Sequence, residues 1–338
     1  MSAWYTSIMA KGVSKSSLLW QRFIVQVAHA SMKSLQAKPR KQVIRLGKSW
    51  GQAGYKLVAK SRRDARRNVF IAYPTLAESA REVIVKESFE HFAAMMFEFM
   101  KAPVYTTEEV LGLADLEPGT EETINDLIQL NKGVIGVIPH LGNFEFFARW
   151  AGCRRYDFTA VVREPDDPAF AGLVDDLRAG CDYKVVNKGN AFRPLLRALG
   201  NGGSVGILPD QNSGDCFVPF FGMPAGTVLG PAKLAVATGA PIIPLFCTRE
   251  PDDRYRIWLG DQITAAPDAR SLGESELLRL TREVNIGLEQ GIRRCPGQYL
   301  WMHNRFKSAF EEKNRSRWPD DIDVEAVMTR WELSRTIK

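Results

Sequence analysis

The sequence predicts an α/β fold, a sheet covered on both faces by helices and preceded by a basic, amphipathic helical arm. Three observations carry this. From about residue 130, short β-branched runs alternate with helical stretches. Those runs are near-continuously apolar, as strands buried on both faces must be. The charge is also divided along the chain. Residues 1–63 hold thirteen Lys and Arg and no acid, so a net charge of +6 leaves −7 for the rest.

Taken in order, the arm carries Leu18, Leu19, Trp20, Phe23, Ile24, Val27 and Ala28 at helical spacing, with Gln21, Arg22 and Gln26 between them. This pattern fits a helix lying in a membrane interface, held by apolar burial and by anionic headgroups. A helix packed on the body is the alternative. Residues 61–110 read as helices broken at Tyr73-Pro74-Thr75, the second running from about Ala77 to Lys101. Strands follow at 134–138, 159–162, 184–186, 204–208, 241–246 and 255–259. Helices are expected at Asn143–Gly152, Pro168–Ala179, Ala191–Leu199, Gly230–Thr238 and Glu274–Arg294. The domains are then 1–60, the arm; 61–315, the α/β domain with its N-terminal helices; and 316–338, a C-terminal tail or helix.

With 45% hydrophobic and 25% charged residues, the chain is neither disordered nor fibrous. No run of about 18 apolar residues exists to span a bilayer unaided. Five scattered cysteines with no C-x-x-C pair make a disulfide framework or zinc ribbon unexpected. No His or Cys pair has metal-ligand spacing, and the glycine-rich pieces match no phosphate-cradling pattern, so neither a metal nor another cofactor is expected. Nucleic acid is not an expected partner, because no reading motif accompanies the basic arm.

Ligands of such sheets bind beyond the C-terminal strand ends. After the first central strand comes Pro139-His140-Leu141-Gly142-Asn143-Phe144-Glu145. His140 can act there as a general base near neutral pH, with Glu145 as the carboxylate that fixes its tautomer. Glu145 reads equally as a helix N-terminal acid, and Asn143 either contacts a headgroup or caps the helix. Arg163 is a phosphate clamp or a surface partner of Glu164, Asp166 or Asp167. Asp210 and Gln211 hold an acceptor sugar or Arg163, unless Asp210 merely caps the turn before Asn212-Ser213-Gly214. His303, His91 and His29 read as structural.

The H-x4-E spacing alone is common by chance, but His140-Leu141-Gly142-Asn143-Phe144-Glu145 resembles the H-L-G-N-aromatic-acid box of the bacterial lipid A biosynthesis acyltransferases. That family of late lauroyl and myristoyl transferases lies within the glycerolipid acyltransferase superfamily. The resemblance continues through Val161-Val162-Arg163-Glu164-Pro165, Leu208-Pro209-Asp210-Gln211, Phe220-Phe221-Gly222-Met223-Pro224-Ala225-Gly226-Thr227, Thr238-Gly239-Ala240-Pro241 and Gln298-Tyr299-Leu300-Trp301-Met302-His303-Asn304-Arg305-Phe306-Lys307. It covers residues 60–310.

The resemblance implies a single mixed, largely parallel sheet and acyl transfer from a thioester on acyl carrier protein or coenzyme A to a lipid A precursor or related glycolipid. It implies catalytic His140 and Glu145, with Asn143, Arg163, Asp210 and Gln211 binding substrate. Oxyanion donors are expected among the backbone N–H groups around Gly142-Asn143. The place of work would be an anionic surface, the cytoplasmic face of the bacterial inner membrane, met peripherally or by shallow insertion. The 92–100 helix and Val218-Pro219-Phe220-Phe221 are expected to line an acyl channel. Two alternatives stay open: the same chemistry on a phosphatidylinositol mannoside, ornithine lipid or other polar lipid, and a non-catalytic lipid-binding protein.

Overall fold

The computed structural model describes residues 31–162, 172, 174, 176–178 and 183–337. The amphipathic segment 18–28, Arg163 and most of the helix expected at Pro168–Ala179 lie outside the described residues. Helices α1 (Arg40–Leu57), α2 (Ala59–Ala72) and α3 (Glu78–Lys101) form an N-terminal layer. Helix α1 lies very close to α3 because its facing seam is glycine. A Cβ at Gly47 would sit 2.5 Å from the Cα of Ala94, and one at Gly51 would sit 2.4 Å from the carbonyl oxygen of Phe89. The later part of the arm is therefore a helix seated on the body. Among the described residues no helix is long and apolar enough to cross a membrane.

After α4 (Thr107–Gly112) the chain builds β1 (Ala114–Leu116), α5 (Thr120–Gln129), β2 (Val134–Val137), α6 (Phe144–Cys153), β3 (Phe158–Val162) and β4 (Lys184–Asn187). It continues with α7 (Phe192–Gly200), β5 (Ser204–Ile207), β6 (Cys216–Phe220), β7 (Met223–Thr227), α8 (Gly230–Thr238), β8 (Ile242–Arg249), β9 (Tyr255–Leu259), α9 (Glu274–Arg294) and α10 (Val324–Arg335). Seven of these strands form one sheet in the order β1-β9-β8-β2-β5-β3-β4. Every pairing is parallel except β8 with β9. The mixed, mostly parallel sheet is as expected, and β2 lies in its centre.

The apolar runs are explained by what lies on each side. In β2 and the residue after it, Ile135 and Val137 pack towards α7, α8 and α9, whereas Val134 and Ile138 pack towards α5 and α6. Ile242 and Ile243 divide in the same way. Both faces of a central strand are thus greasy, and alternation of polarity disappears.

Strand β1 and the β6–β7 hairpin were not expected as strands. The hairpin places Pro219 opposite Pro224 in register, and prolines argue against a strand when read alone. It turns at Phe221-Gly222, both at positive φ (51° and 71°), the conformation a two-residue hairpin turn demands. Phe220 and Phe221, expected beside an acyl channel, are buried. They pack with Trp301 and Phe306 in a buried aromatic cluster. A cavity of about 220 Å³ lies between α5, α6 and the sheet, lined by Leu127, Phe147, Trp150, Gly136 and Leu245. It reaches Val134 and Ser204, at the strand ends away from His140.

Candidate active site

Strands β2 and β5 are adjacent and parallel, and Val134 pairs with Ser204 through to Val137 with Ile207. Each then runs into the same kind of exit, Ile138-Pro139-His140 in one and Leu208-Pro209-Asp210 in the other. Continuing that register brings His140 beside Asp210, and the two side chains meet. The His140 ring Nδ1 lies 2.7 Å from Asp210 Oδ1, and the His140 backbone N–H donates to Asp210 Oδ2 at 2.8 Å. A carboxylate only accepts, so the ring carries its proton on Nδ1 and leaves the Nε2 lone pair facing outward.

Asp210 is almost wholly buried, at 2% exposure. Burial alone would raise its pKa. The charge of His140 and the hydrogen bonds from its ring and backbone hold the carboxyl below the ordinary aspartate value instead. Tyr299 lies near this carboxylate, and burial first and the Asp210 charge second push the tyrosine well above its usual pKa. Arg305 adds a positive charge nearby and donates to Thr227 Oγ1 at 2.8 Å and to the carbonyl of Gly226.

The residues expected to share the site are thus redistributed. The carboxylate on His140 is Asp210, and Glu145 does not fill that place. Glu145 lies on the first turn of α6 and accepts from Arg178 Nη2 at 2.6 Å, both side chains being mostly buried. Spacing along the chain favoured Glu145, whereas strand register selects Asp210. Asn143 turns out to be a cap and not a headgroup contact. At 2% exposure, its Oδ1 accepts from the Phe146 N–H at 2.9 Å and its Nδ2 donates to the Tyr255 hydroxyl at 2.7 Å. The backbone N–H groups of Gly142 and Asn143 are also spent, on the carbonyls of Gln298 (3.1 Å) and Cys247 (2.8 Å), so they are not free oxyanion donors. Gln211 does reach the His140 ring, with its side-chain nitrogen 3.2 Å from Nε2. Arg163 lies outside the described residues.

The C-terminal block closes around this pair. Leu141 bridges Tyr299 in antiparallel fashion, and the Leu300 N–H donates to the His140 carbonyl at 3.0 Å. The Gln298 side chain exchanges two 2.8 Å bonds with the Arg249 backbone. His303 Nε2 accepts from the Asn212 N–H at 3.1 Å, pinning the turn after Asp210. From the helical layer, buried His91 meets the Gly142 carbonyl at 3.0 Å. Burial, and next the charge of Arg249, pushes His91 down to about 3, so the ring is neutral and its Nε2–H donates. The roles of Tyr299 and Arg305 were missed, and no local pattern marks them, whereas His91 is structural as expected. The matched exits Ile-Pro-His and Leu-Pro-Asp were a signal that could have found Asp210.

Gly142 is held at φ +62°, and a Cβ there would lie 2.0 Å from the Cys247 carbonyl oxygen. The left-handed backbone alone costs a non-glycine residue about 1–2 kcal/mol, and the clash forces the turn away from β8. Gly142→Ala is therefore expected to lower the melting temperature and abolish activity together. Retention of both in a thermal melt and a turnover assay would contradict this turn.

Residues 10–308 match the family model described as bacterial lipid A biosynthesis acyltransferase. A lipid A biosynthesis lauroyltransferase of Escherichia coli (strain K12) is 25% identical over 280 residues, covering 80% of this chain and 87% of that protein. A lipid A biosynthesis palmitoleoyltransferase of the same strain is 25% identical over 249 residues, with 72% and 78% covered. A phosphatidylinositol mannoside acyltransferase of Mycobacterium tuberculosis (strain ATCC 25618 / H37Rv) is 24% identical over 236 residues, with 68% and 72% covered. A solved 1-acyl-sn-glycerophosphate acyltransferase from Thermotoga maritima aligns with a TM-score of 0.33 at 14% identity, over 77% of this chain and 99% of that one, too little likeness to carry an argument.

Proposed function

Because this chain belongs to the bacterial lipid A biosynthesis acyltransferase family, and is thus an acyltransferase, we propose that it moves a fatty acyl chain from a thioester to a hydroxyl of a lipid A precursor or related glycolipid. The donor thioester is on acyl carrier protein or coenzyme A. The observation that carries the mechanism is the His140–Asp210 pair, which leaves an imidazole lone pair at the end of the central strand. A lipid hydroxyl needs such a base within hydrogen-bond reach before it can attack a carbonyl.

The steps follow from that geometry. The acceptor oxygen bonds to the thioester carbonyl carbon while its proton passes to His140 Nε2, and Asp210 stabilises the imidazolium. Collapse of the tetrahedral intermediate breaks the carbon–sulfur bond, and the sulfur leaves with the proton from Nε2. The products are an ester and a free thiol. The N-terminal end of α6 sits beside His140, where Phe144 meets the imidazole edge-on at 5.0 Å, and its dipole favours negative charge there.

Peripheral work at the cytoplasmic face of the bacterial inner membrane is part of the same reading. It is supported by exposed Trp50 and Leu57 (66% and 81%) on α1, by Lys48 and Lys56 beside them, and by the acid-free stretch 1–63. An acidic carrier protein suits that charge as well, and its docking should weaken with salt. A second acceptor, a phosphatidylinositol mannoside, is favoured by the mycobacterial relative.

The test is transfer of a labelled acyl chain from acyl carrier protein or coenzyme A to a lipid A precursor and, separately, to the mannoside. His140→Ala is expected to cut transfer about 10²–10⁴-fold, the worth of general base catalysis. A folded His140→Ala protein as active as the parent would remove the proposed mechanism.

A further inference from the structure

We infer that Gln211 is a positioning residue that stands in for the acceptor hydroxyl at the base and follows the charge of the ring. This deepens the acyl-transfer reading and rests on it. With the Nδ1 proton committed to Asp210, Nε2 is the one ring atom open to chemistry. The Gln211 amide nitrogen lies 3.2 Å from it, donating to the lone pair as an attacking hydroxyl would.

The surroundings separate a fixed backbone from a side chain that is free to leave. The Gln211 carbonyl accepts from Arg305 at 3.4 Å. The following Asn212 is held by His303 through its N–H and by Ser308 Oγ at 2.6 Å through its side chain. Gln211 itself is exposed. Its side chain can therefore swing aside for a substrate without moving the turn.

An amide suits this position because it presents a donor or, after a half-turn, an acceptor at the same place. It donates to the neutral imidazole and accepts from the imidazolium, so the ring has a partner in both states. Acceptor binding displaces the amide, and the amide returns when product leaves.

The charged and titratable groups around the His140–Asp210 pair are Asp210 itself, at the end of β5, and Tyr299, His303 and Arg305 on the C-terminal block. Gln211 adds no charge to them. A carboxylate in its place only accepts and so favours the imidazolium alone. Gln211→Glu should thus raise the proton affinity of His140 about tenfold or more, as an adjacent opposite charge does.

The experiment follows the His140 ring resonance against pH by NMR in the full chain, assigned with His140→Ala, for wild type, Gln211→Glu and Gln211→Ala. Acyl-transfer rates are measured across the same pH range. The expected result is a Gln211→Glu midpoint moved to at least tenfold lower proton concentration, with the pH profile of acyl transfer shifted towards alkali by the same factor. A midpoint within twofold of wild type would overturn the inference. So would Gln211→Ala raising the acceptor KM tenfold, since the amide would then bind substrate and not stand in for it. Absence of transfer by the wild type counts against the acyl-transfer reading, while the titration decides the inference by itself.

Discussion

Asp210→Asn is expected to lower acyl transfer about 10⁴-fold, the cost known where an amide replaces the carboxylate of a His–Asp pair. The direction follows from the two hydrogen bonds on the aspartate. The His140 backbone N–H must keep an acceptor, so the amide oxygen takes the place of Oδ2. The amide nitrogen then faces ring Nδ1 where Oδ1 stood. Because that nitrogen only donates, Nδ1 must give up its proton, which moves to Nε2. The base is then blocked at the atom that should receive the acceptor's proton. Nitrogen-15 NMR would show the proton on Nε2, and transfer assays would show the loss. An Asn variant within tenfold of wild type would mean that Asp210 does not set the tautomer. Glu145→Gln in the same assay supplies the comparison, because its carboxylate pairs with Arg178 and not with the ring.

The second large effect concerns stability. Glu98 on α3 is 3% exposed and accepts from Arg40 at 2.8 Å, from Arg249 and from the Tyr255 hydroxyl at 2.7 Å. Burial would lower the pKa of Arg249, but interactions with Tyr255 and with the Glu98 carboxylate raise it above the ordinary value, so the guanidinium stays charged. Glu98→Ala removes its close partner, leaving a side chain 5% exposed with only the more distant Asp253 at 3.8 Å and a second cation, Arg40, beside it. Removing one partner of a buried pair costs about 3–5 kcal/mol, a large part of the roughly 5–15 kcal/mol that holds a domain. Urea unfolding should show this as a midpoint shift, and a loss under about 1 kcal/mol would not fit the loss of a buried carboxylate shared by two arginines. Activity should suffer in the surviving folded fraction, because Tyr255 also holds the Asn143 cap.

Most of the sheet was legible because its strands announce themselves. Val134–Val137, Ser204–Ile207 and Ile242–Arg249 are greasy on both faces, and only a central parallel strand has reason to be. Strand β1 is three residues long and owes its existence to pairing with Tyr255–Ile257, a partner far along the chain. The hairpin hid behind its paired prolines. His140 was legible because it follows a strand end. Its carboxylate was not, because local spacing points to Glu145 while the true neighbour is 70 residues away. That separation equals the offset between β2 and β5, a quantity set by sheet register. Asn143 was ambiguous for a similar reason, since only the position of Tyr255 shows that its amide is already engaged.

The bridge between Leu141 and Tyr299 also bears on how the protein is made. His140 leaves the ribosome long before the segment that clasps it. At about 5–20 residues per second, translation needs roughly 8–30 s to cover the distance from His140 to Arg305. Throughout that interval a nascent chain holds the imidazole and later its aspartate, but not the tyrosine, the arginine or the backbone bridge that align them. On the proposed mechanism, a growing polypeptide therefore has no assembled centre with which to spill acyl groups from a thioester donor into water. If the proposed centre is the catalytic one, competence arrives with the last part of the α/β body, and the order of synthesis keeps it silent until the fold is nearly complete.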